Sequence, residues 1–64
     1  MNFKENLKKI RKERNLTQQQ LADLLQVTKT TIANYEQGIK EPKFKTLEQI
    51  KNILECSYDD LLND

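Results

Sequence analysis

Histidine is absent from these 64 residues, and glycine, proline and cysteine occur once each. Each shortage excludes something. Without an imidazole the lone thiol, Cys56, has no base to activate it, and one glycine cannot build a phosphate-cradling loop. We therefore expect no enzyme, no catalytic residue and no cofactor. A single cysteine forms no internal disulfide, no signal sequence is evident, and no apolar run approaches the roughly 18 residues that would suggest a membrane span. These features fit a soluble protein of the cytosol. Asp59, Asp60 and Asp64 could hold a cation loosely, but helix capping and solubility explain them better, so no metal site is expected.

What is present is the composition of a small globular domain, 36% hydrophobic and 33% charged. A chain of this size buries only about 60% of its unfolded surface, and such a core supplies about 3–5 kcal/mol. One domain spanning residues 1–64 is expected, with dimerisation as a standing expectation. The net charge of +1 conceals a division: Met1 to Lys45 holds ten bases against five acids, and Thr46 to Asp64 one base against five acids. A balance of +5 followed by −4 suits one face turned to a polyanion and another turned away.

The apolar spacing predicts helices throughout. Phe3, Leu7 and Ile10 follow i, i+4, i+7, and Asn2 with Glu5 suggests a capping box, so a first helix runs over Phe3 to Asn15. Its other faces carry Lys4, Lys8, Lys9, Lys12 and Arg14, whereas Arg11 falls on the apolar side, where a charge is costly unless paired. Thr17 and Gln20 predict the start of a second helix at Gln18, with Leu21, Ala22, Leu24 and Leu25 facing inward and an end at Gln26. Thr28 then caps a third helix, Lys29 to Gln37. Val27 and Ile32 are spaced as a hydrophobic staple, and Gly38 stands where a left-handed C-terminal cap is wanted. Pro42 breaks the chain into a loop. Phe44, Leu47, Ile50, Ile53 and Leu54 predict a fourth helix over Phe44 to Leu54, and the Ser57 and Asp60 capping box a short fifth. Cys56, just before that cap, is expected to pack as a small apolar residue against Leu61. With no β-alternation or repeat, the expected fold is an all-α, compact five-helix bundle.

The third helix has an unusual outer side. Ile32, Tyr35 and Glu36 share one face, which must be the inner one, and Thr30, Ala33, Asn34 and Gln37 share the other. Beside Lys29, that outer face offers short hydrogen-bonding side chains and no long charged ones. Amides can pair with adenine, lysine can donate to guanine, and small methyl groups can touch the thymine methyl. Two helices joined by a turn of about three residues, the second polar on its outside, form the arrangement in which the second helix enters a major groove. The free amides at the start of the second helix favour an anion, and Gln18 stands there with a further donor.

The residues Leu7, Ile10, Arg11, Leu16, Thr17, Gln18, Leu21, Ala22, Leu25, Val27, Thr28, Ile32, Tyr35, Glu36, Gly38, Pro42, Leu47, Ile50 and Leu54, with the closing SYDDLL, closely resemble the phage repressor and Cro-like, or XRE, helix-turn-helix family. The resemblance covers nearly the whole chain. It implies a lambda-repressor-like DNA-binding domain with its helix-turn-helix over about 17–38, regulating transcription, most often as a repressor, as a homodimer on double-stranded DNA with a palindromic operator. Carried over position by position, it implies base contacts from Lys29, Thr30, Ala33 and Asn34. It implies phosphate contacts from Gln18, Thr31, Gln37, Lys43 and Phe44, and an ion pair between Arg11 and Glu36. The dimer surface is expected around Tyr58, Leu61 and Leu62, and no small-molecule ligand is evident. The family commonly carries glycine where this chain has Gln26. An alternative from another class is an antitoxin-like or accessory protein-interaction module on the same fold.

Overall fold

The computed structural model describes residues 2–63, so Met1 and Asp64, the last of the acids weighed as a cation ligand, lie outside the described residues. Those residues form five helices and no strand: α1 (Phe3–Glu13), α2 (Gln18–Leu25), α3 (Lys29–Gln37), α4 (Phe44–Leu54) and α5 (Tyr58–Leu62). α3 packs against α1 and α2, while α4 packs on α2 and α5 on α1, in a body of 25 × 23 × 20 Å.

The core follows from the apolar stripes. Phe3, Leu7 and Ile10 meet Leu21, Ala22 and Leu25, with Ile32 and Tyr35 from α3, Ile50 and Leu54 from α4, and Leu61 from α5. Phe3 and Tyr35 cross edge to face with ring centres 6.3 Å apart, the geometry their quadrupoles favour. Cys56 packs against this cluster; burial, reinforced by the nearby Asp60 carboxylate, pushes its thiol pKa up, away from the reactive thiolate.

Capping residues set three of the helix starts. Thr17 accepts from the Gln20 backbone N–H while the Gln20 side chain accepts from Thr17 N, and Ser57 with Asp60 closes the same reciprocal box on α5. Thr28 accepts from Thr31 N at 3.2 Å to open α3. The ends of α1 to α4 depend on left-handed residues, only one of which is glycine: Gly38 at φ 77°, against Asn15 at 59°, Gln26 at 60° and Glu55 at 54°.

Several expectations are corrected. α1 stops at Glu13 rather than Asn15, because Asn15 turns left-handed and the Leu16 N–H closes back on the Arg11 carbonyl. The Asn2 side chain donates to the Glu5 carboxylate but accepts no backbone N–H, so the expected box on α1 is not formed. Leu24 is 56% exposed, although it was expected to face inward, and Phe44, which opens the apolar spacing of α4, is 69% exposed. At about 100° per residue, Leu21, Ala22 and Leu25 fill one sector of α2, and Leu24 lies outside it. Phe44 has likewise rotated about 120° from Ile50 by the first turn of α4. Leu61, by contrast, is fully buried, and it cannot contribute to a dimer surface because it completes the core.

Candidate nucleic-acid interface

α2 and α3 are joined by Gln26, Val27 and Thr28, a turn so short that the helices cross instead of lying side by side. Val27 tucks against the core while Gln26 takes the left-handed conformation that reverses the chain. α3 is therefore presented by its start. Lys29 and Thr30 are exposed, as is Gln37 at the far end, while Ala33 and Asn34 are half-buried between them. The five lie on one side of the helix, with Ile32 and Tyr35 buried opposite. Thr31 is half-buried at the border, and its hydroxyl lies 2.9 Å from that of Thr28.

Behind this face lies a polar centre. Arg11 Nε donates to Glu36 Oε2 at 2.6 Å and Nη2 to Oε1 at 3.1 Å, a two-pronged pair whose side chains are only 8% and 3% exposed. Arg11 Nη1 donates to the Leu16 carbonyl at 2.7 Å, and Gln18 Nε2 donates to Glu36 Oε1 at 3.1 Å. The carboxylate thus accepts three hydrogen bonds, and no buried side-chain nitrogen or oxygen among the described residues is left without a partner. Charges removed from water require this degree of pairing. The sequence pattern brought Arg11 and Glu36 to inner faces. It gave no sign that Gln18 joins them, because its position at the first turn of α2 reads equally well as solvated.

The remaining candidates sit apart. Lys43 precedes α4 in extended conformation and supplies no side-chain cap, so that helix start has backbone amides uncovered by its own chain. Phe44 follows it and stacks on Tyr58 with ring centres 6.0 Å apart, while Lys51 Nζ lies 5.2 Å from the Tyr58 ring. Tyr58 and Leu62 are half-buried. Two structural contacts were hidden from sequence reasoning. Arg14 Nε donates to the Leu54 carbonyl at 2.8 Å and Nη2 to that of Glu55 at 3.4 Å, capping the end of α4. Asn6 donates to the carbonyls of Leu61 and Asn63, tying α5 to α1. Neither partner is near in sequence, so no local signal could have found them.

The profile of the helix-turn-helix family matches residues 7–61. The chain is 53% identical over 60 residues to an uncharacterized HTH-type transcriptional regulator, YqaE, of Bacillus subtilis, covering 94% of this chain and 52% of that protein. It is 38% identical over 63 residues to the HTH-type transcriptional activator BcrR of Enterococcus faecalis, covering 98% and 31%. It is 39% identical over 61 residues to the cryptic phage CTXphi transcriptional repressor RstR of Vibrio cholerae serotype O1, covering 95% and 54%. The chain spans about half the length, or less, of these curated relatives.

Proposed function

The chain belongs to the helix-turn-helix family of non-enzymatic, DNA-binding transcriptional regulators, and we propose that it binds double-stranded DNA sequence-specifically, as a homodimer on a palindromic operator, to repress transcription in the cytoplasm. In this reading residues 1–64 form one DNA-binding domain. The start of α3 enters the major groove, and Lys29, Thr30, Ala33 and Asn34 face base edges. Gln18, Thr31, Gln37, Lys43 and the backbone at Phe44 meet phosphates on either side of the groove.

The observation that carries the reading is the contrast across α3. The Lys29, Thr30, Asn34 and Gln37 side chains on its outer side hydrogen-bond to none of the described residues, while its inner side is fixed to α1 by the Arg11 and Glu36 pair. A reading helix needs both, because base recognition fails if the helix can roll. Thr31 fits a backbone contact if Thr28 donates to it, since its own hydroxyl hydrogen is then available to a phosphate oxygen. The second copy would be met by Phe44, Tyr58 and Leu62, an exposed phenylalanine stacked on a half-buried tyrosine beside a half-buried leucine; this surface replaces the one that included Leu61.

Selection of preferred duplexes from a random pool tests the reading. A palindromic consensus is the expected result, its half-site spacing reporting the dimer geometry. Binding should weaken with salt at a slope near −0.9 per phosphate neutralised. A chain that enriches no duplex sequence would instead be a protein-interaction module on this fold. Enrichment of single half-sites would remove the dimer.

A further inference from the structure

Gln18 and Glu36 belong to different helices, and neither helix needs their contact in order to form. We propose that Glu36 is a positioning residue for the DNA-backbone anchor: it holds the Gln18 amide in the single orientation that offers an N–H to a phosphate. This inference rests on the assignment of Gln18 as a phosphate contact under Proposed function.

A glutamine amide carries an acceptor on one edge and donors on the other, and in water the two edges exchange freely. Against a carboxylate they cannot. With the oxygen edge turned inward, two acceptors would face each other beside a buried charge, so the nitrogen must face Glu36, as the 3.1 Å Nε2 to Oε1 bond has it. One amide hydrogen is used by that bond, and the other remains on a side chain that is half-exposed at the first turn of α2. The carboxylate itself cannot turn away, since Arg11 grips both of its oxygens and is in turn braced on the Leu16 carbonyl. A single chain of bonds therefore runs from the segment before α2, through Arg11 and Glu36, to Gln18. It sets the phosphate donor on α2 in register with the reading face of α3. Contact with backbone and contact with bases then occur at one fixed separation, which lowers the ordering cost of binding.

The test is a double-mutant cycle read on DNA affinity, with the duplex that the wild-type chain selects from a random pool as probe. Gln18→Ala should weaken binding about tenfold in the wild-type background, the size expected for a hydrogen bond to a charged group. In a Glu36→Gln background, where the partner can donate as well as accept and no longer dictates the amide's orientation, the same change should cost less than about twofold. An equal penalty in both backgrounds, or none in the wild type, overturns the inference. Should Glu36→Gln fail to fold, the free wild-type protein still decides. The Gln18 side-chain amide proton bonded to Glu36 should exchange with water more slowly than its geminal partner and than either amide proton of exposed Gln49, and protons that behave alike at both sites overturn the inference. A wild-type chain that selects no duplex removes the functional reading and this inference with it, whereas an uncoupled cycle removes this inference alone.

Discussion

α3 and α4 both offer their starts to the proposed DNA surface, but they are held in different ways. α3 buries Ile32 and Tyr35 and, beside them, one half of a two-pronged ion pair. α4 buries Ile50 and Leu54, and the polar group that ties it down, Arg14, grips its far end from the surface. Apolar contact fixes how close two helices lie, whereas a planar guanidinium meeting a carboxylate also fixes rotation, since both bonds survive over a narrow range of angles. The helix assigned to read bases carries the rotational lock, and the helix assigned to meet phosphate, where a small roll matters less, does without one.

The largest effect should come from breaking that lock. Arg11→Met strands the Glu36 carboxylate in the interior and should cost about 3–5 kcal/mol of stability, whereas Lys12→Met, one residue along on the exposed face, should change little. Thermal unfolding of the two variants decides. Equal losses would mean that the ion pair adds nothing to the hold on α3 beyond its apolar packing.

The same comparison predicts two kinds of damage to binding. Asn34→Ala on α3 should cost about 1–3 kcal/mol and relax the preference at particular base pairs. Lys43→Ala before α4 should weaken all duplexes alike and reduce the salt slope by about 1. Titrations against the selected duplex and a scrambled one, each at several salt concentrations, separate the cases. If Asn34→Ala leaves the preferred site unchanged, the reading face lies elsewhere on α3.

How much of this was legible depends on whether the signal was local. Thr17 with Gln20, Thr28, and Ser57 with Asp60 announce helix starts within four residues, and those starts stand where the spacing set them. The ends at Gln26, Gln37 and Leu54 also stand within a residue of where they were expected, and the end of α1 was missed because Asn15 takes the left-handed conformation that glycine usually marks. Burial was legible for stripes two turns long and failed at their margins, where Leu24 rotates out of the core and Leu61, assigned to a dimer surface, rotates in. At the candidate site, Arg11 and Glu36 could be brought to inner faces by helical phase alone. Gln18 joining them, and Arg14 reaching Leu54, depend on how three helices pack, which no spacing within one helix contains.

The two ends of the α2 to α3 unit allow a smaller test. Gln26 and Gly38 both terminate helices at positive φ, 60° and 77°, but only the second lacks a Cβ. Gln26→Gly should stabilise the fold by about 1 kcal/mol by relieving that conformation, less what glycine loses in chain entropy. Gly38→Ala should do the reverse by placing a Cβ at φ 77°, the Lys4 side chain that the new Cβ would meet being exposed and able to move aside. Chemical denaturation of both variants should shift in opposite directions. A Gln26→Gly protein less stable than wild type would mean that the Gln26 side chain contributes a contact to the turn that outweighs its strain.

The smallest effect contrasts the start of α4, which has no side-chain cap, with the start of α5, which has a reciprocal one. The Ser57 backbone N–H, and secondarily the Ser57 side chain, holds the Asp60 carboxyl below its ordinary value of 3.8. Because the folded value is the lower one, the carboxylate favours the folded state. That contribution is present above about 3.8 and is lost as pH falls through the folded value. Asp60→Asn keeps an oxygen that can accept from Ser57 but cannot titrate. Its melting temperature should therefore fall less than that of wild type between about pH 5 and about pH 2.5. Parallel pH profiles would show that the charge on Asp60 adds nothing to the α5 cap beyond its two hydrogen bonds.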